Sequence, residues 1–83
     1  MDEYIGMIKI FAGSFAPVNW AFCEGQILHI SQNEALWSIV GFSYGGDGSQ
    51  TFALPNLAPI ADIDGKGVSR YIICVSGLYP QRP

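Results

Sequence analysis

Cys23 and His29 are the one pairing in the chain that could supply a nucleophile and its base. A thiol becomes strongly nucleophilic when a base within hydrogen-bond reach takes its proton. His29 is the sole histidine, and no Asp or Asn is placed to orient its ring. The plainer reading is a buried thiol and an incidental imidazole on a strand. The second cysteine, Cys74, opens two alternatives: one disulfide to Cys23, or two reduced thiols. Reduced thiols are the rule inside cells, and free cysteine is among the most buried residue types. As metal ligands, Cys23, Cys74 and His29 fall at neither C-x-x-C nor H-x-x-x-H spacing, which argues against zinc. These residues therefore assign no catalytic, cofactor-binding or metal site.

Two further stretches invite a ligand. Gly45-Gly46-Asp47-Gly48 has the glycine density of a phosphate loop, but no G-K-[ST] follows and no G-x-G-x-x-G joins a strand to a helix. Its glycines are expected to supply positive φ in a tight loop flanked by Phe42, Tyr44 and Phe52. Asp62-Ile63-Asp64-Gly65 opens like a calcium loop, yet Ile73 stands where the closing Glu would be. A plain turn is the simpler reading. The aromatic residues are mostly expected to be core or subunit interface. Trp20, Phe22 and Trp37 are assigned to core or interface, and Phe42, Tyr44, Asp47 and Phe52 to an exposed loop contact.

The elements that must carry these residues are short. Tyr4 to Phe11 alternates, with Ile8 and Ile10 on one face and Met7, Lys9 and Phe11 on the other. Trp20 to Cys23 is an apolar run stopped by the turn Glu24-Gly25, and Gln26 to Ile30 reads as a further strand. Ser31-Gln32-Asn33-Glu34 is a capping-box pattern. Leu36, Ile39 and Val40 follow at helical spacing, and Gly41 stands at the C-terminal stop, so one helix is predicted over 32–40. Thr51 to Leu54 is a short apolar piece, 56–68 is irregular, and Arg70 to Ser76 is the strongest strand signal. The expected architecture is a small single-domain α+β fold over residues 1–83.

Composition narrows the function class. Charged residues are 13% of 83, where roughly 25% is usual, while 49% are hydrophobic. A chain this short buries only about 60–65% of its unfolded surface, so its apolar residues exceed what its interior easily holds. This points to an oligomer or a subunit of a particle. The net charge of −3, with cations scattered at Lys9, Lys66, Arg70 and Arg82, argues against nucleic acid. No stretch approaches the ~20 apolar residues of a membrane span, so no membrane insertion is expected. The Met-Asp-Glu start lacks a basic leader, so synthesis without a signal peptide is expected.

One extended run carries a resemblance. Gly6 to Gly41, with Trp20-Ala-Phe-Cys23-Glu-Gly25 and Ser31-Gln-Asn-Glu-Ala35-Leu36, resembles the phage tail collar family, also called the microcystin-dependent protein family. Tyr44-Gly-Gly-Asp47-Gly-Ser-Gln-Thr-Phe52-Ala-Leu-Pro55-Asn-Leu57 is similar to the second half of the same motif. The resemblance covers about residues 5 to 57. It implies a structural subunit of a phage-tail-derived or extracellular fibre-like assembly, with no enzymatic activity and no cofactor. The expected partners are copies of the chain or related collar-like subunits, in a trimer or fibre. The expected location is a virion, a phage-tail-like particle or an extracellular fibre. The chain departs from the pattern after Leu57, where Ala58-Pro59-Ile60 replaces the arginine-containing continuation of longer members. That departure favours packing over direct receptor binding. The alternative is an adhesin or lectin-like module, with Tyr44, Asp47 and Gln50 meeting a cell-surface glycan.

Overall fold

The computed structural model describes residues 3–61 and 67–81. The Asp62-Asp64 turn therefore lies outside the described residues. In chain order the elements are β1 (Ile8–Phe11), β2 (Trp20–Phe22), β3 (Ile27–His29), a 3-10 turn at Ile30–Gln32, α1 (Glu34–Val40), β4 (Thr51–Ala53), β5 (Ile60–Ala61) and β6 (Val68–Cys74). This is a small α+β domain.

β6 is the axis of the larger sheet, as its β-branched and aromatic content favours. It pairs antiparallel with β1 (Ile8 opposite Ile73, Phe11 opposite Arg70) and with β2 (Trp20 opposite Cys74, Phe22 opposite Ile72). β5 adds to its first residues. β1 and β2 thus run parallel with β6 between them, and the segment 12–19 crosses β6 to join them. Alternation divides the sheet. Tyr71 and Ile73 share the inner face, the one that carries the core, with Ile8, Ile10 and Ala21, while Arg70, Ile72 and Cys74 share the outer face with Lys9, Trp20 and Phe22. Both faces are only partly covered, since Ile8 and Ile10 are exposed on the first and Ile72 and Cys74 are buried on the second. The β3–β4 hairpin, with Leu28 opposite Phe52, forms the second sheet. It lies with α1 on the inner side, where Ile5, Cys23, Leu36, Phe52, Leu54 and Ile73 make the core.

The helix starts later than its sequence pattern predicts. Ser31 lies inside the 3-10 turn, so its hydroxyl is not at the helix end, and no side chain caps α1. Asn33 occupies the cap position. Its carbonyl accepts from the Trp37 N–H at 2.9 Å, and its side-chain amide donates to the His29 carbonyl at 3.0 Å. Gly41, with φ +64°, ends the helix as expected. Leu36 is buried and Val40 packs on the core, but Ile39 is 38% exposed and rests against Gly6. The helical stripe is therefore narrower than its three aliphatic residues imply. β5 is an addition within the stretch expected to be irregular.

The disulfide alternative is not realised: Cys23 and Cys74 are both free and buried. The register explains why. Trp20 opposes Cys74, whereas the Cys23 N–H donates to the Tyr71 carbonyl at 3.0 Å. The cysteines are offset by three residues, about 10 Å along the strand, and they face opposite sides of the sheet. A disulfide needs Cα atoms within about 7 Å.

Candidate functional site

Cys23 and His29 do not share a site. Cys23 lies in the core, where burial pushes its thiol pKa up, away from the thiolate a nucleophile requires. His29 is exposed on β3 and lines a separate open cleft of about 460 Å³ with Ser31, Glu34, Ser49 and Gln50. Among the described residues no three His, Cys, Asp or Glu side chains converge.

The glycine loop has an internal logic. Gly45, Gly46 and Gly48 all hold positive φ, at +128°, +116° and +80°. A Cβ on Gly46 would stand 2.3 Å from the Thr51 carbonyl oxygen, so the strand and loop backbones meet there with no room for a side chain. Asp47 turns inward on its own loop. Its Oδ1 accepts from the N–H groups of Ser49 (2.8 Å), Gln50 (2.7 Å) and Thr51 (3.0 Å), while its own N–H donates to Thr51 Oγ1 at 3.0 Å. The Thr51, Gln50 and Ser49 amides hold its carboxyl pKa down at about 2. Asp47 is thus engaged in organising the loop.

The residues expected to make an exposed contact at this loop separate. Tyr44 and Phe42 are exposed at 54% and 40%, with the Phe42 ring set edge-on to Trp37 at 5.6 Å. Phe52 is the correction: it is fully buried, because its position in β4 turns it into the core beneath the loop. Trp20, Phe22 and Trp37 also divide. Trp37 packs on the core cluster. Trp20 and Phe22 lie half-buried on the outer face of the larger sheet. There Lys9 sits 5.8 Å over the Trp20 ring and Arg70 sits 3.9 Å over the Phe22 ring. These cations also pair with acids, Lys9 with Glu3 and Arg70 with Glu24 at 3.9 Å. The partial covering of these rings was not legible in the sequence, because the cations come from β1 and β6 and the rings from β2.

The two halves of the collar-like motif meet in space. The Leu57 N–H donates to the Cys23 carbonyl, Gly25 N–H to Pro55, and Leu54 N–H to Gln26, all between 3.0 and 3.2 Å. Trp20-x-x-Cys23-x-Gly25 and Leu54-Pro55-x-Leu57 are therefore bound together along their backbones. Gly25 takes φ +75°, and its missing Cβ leaves room for the side chain of Asn56. A family model described as Phage Tail Collar Domain matches residues 6–59.

The chain belongs to the phage tail collar domain family. This is a structural domain of phage tail fibres. The matched stretch of this collar domain holds β1 to β4 and α1, and the central strand β6 lies beyond it. No curated protein and no solved structure matches the collar chain. Among the described residues no helix is long and apolar enough to cross a membrane.

Proposed function

We propose that this collar chain is a structural subunit of a phage-tail-derived or extracellular fibre-like particle and acts by packing against further copies or related collar subunits. The observation that carries this reading is its surface. Among the described residues fifteen large hydrophobic side chains are exposed, from Tyr4 to Tyr79. The accessible area is 5701 Å², where a compact monomer of 9.0 kDa exposes about 4,850 Å². The radius of gyration is 13.6 Å, against about 11.8 Å for a compact domain of this length. A surface both enlarged and apolar is what a subunit has before its neighbours are added.

The glycan-binding alternative is less well supported. Of its three residues, Tyr44 is exposed, Gln50 lines the open cleft beside His29, and Asp47 is occupied by three amides of its own loop. The aromatic wall that sugar recognition favours is missing from the residues lining that cleft. Sedimentation velocity or light scattering tests the packing reading. An oligomer at micromolar concentration is expected, and a well-behaved monomer would overturn it.

A further inference from the structure

We draw no further inference here: the strongest candidate, the exposed apolar face that Ile8 of β1 and Ile39 of α1 present between the two elements, is unpartnered, and nothing in the structure shows what covers it.

Discussion

Asp47 illustrates how a residue that looks like a ligand contact can be a structural one. A carboxylate in a glycine loop has the chemistry to meet a sugar or a cation. Here its Oδ1 accepts three consecutive backbone amides, an arrangement like a capped helix start built without a helix. Its folded pKa, about 2, lies below the ~3.9 of an unfolded aspartate. A depressed carboxylate stabilises the fold fully above the unfolded value and loses that contribution as pH falls through the folded one. Asp47→Asn keeps the acceptor oxygen and removes the charge. The urea midpoint of the parent should therefore exceed that of Asp47→Asn by a constant amount above about pH 5. The gap should close between about pH 4 and pH 2, and a gap unchanged at pH 2 would contradict the assignment. Phe52, four residues beyond Gly48, makes the complementary point. An aromatic residue beside a glycine loop is ambiguous by type, and strand parity in β4 places it in the core.

At the scale of the element, Gly45-Gly46-Asp47-Gly48 and the strand after it form one device. Gly45 closes back on Ala53, whose N–H donates to the Gly45 carbonyl at 3.1 Å, and Gly46 lies against the backbone of Thr51 and Phe52. The glycines differ in consequence. At Gly48 a Cβ meets nothing within 4 Å, so Gly48→Ala costs only the positive-φ strain, about 1–2 kcal/mol. At Gly46 the same strain is joined by a clash with backbone that cannot rotate away. Gly46→Ala is expected to destabilise clearly more than Gly48→Ala in chemical denaturation, and equal losses would count against this account. The start of α1 is the opposite case. The capping-box spacing from Ser31 to Glu34 is present, yet the chain continues from β3 into a 3-10 turn and delays the helix to Glu34. A local pattern of about 1 kcal/mol yields to the pairing that fixes His29 opposite Thr51.

For the whole molecule, the shortage of charge and the surplus of apolar surface have one proposed explanation, assembly. If the contacts between subunits are made by the exposed apolar side chains and not by charges, assembly should be insensitive to screening. At 1 M salt the Debye length falls to about 3 Å, which weakens exposed ion pairs but leaves apolar contacts intact. The sedimentation coefficient is expected to hold or rise between 0.05 and 1 M sodium chloride. Dissociation over that range would point to an interface built on the few exposed charges. The described cations support this view, since Lys9 and Arg70 both lie over aromatic rings and beside carboxylates of the same chain.

The amino-acid sequence by itself determined the helix and the strands other than β5, the glycine stop at Gly41, the turn at Gly25 and the alternation that splits Ile8 and Ile10 from Lys9 and Phe11. These follow from local sterics and from a period of two residues, which neighbouring positions carry. It also carried the family resemblance, through motifs spread over two-thirds of the chain. The tertiary structure decided what depends on register between distant segments. Cys23 and Cys74 face opposite sides of a sheet because β2 and β6 align Trp20 with Cys74. Phe52 is core while Tyr44 is surface because the loop folds over β4. Trp20 and Phe22 lie outside the core, each beneath a cation brought by another strand. Side-chain type sets what a residue can do, and strand pairing sets which face, and which neighbours, it is given.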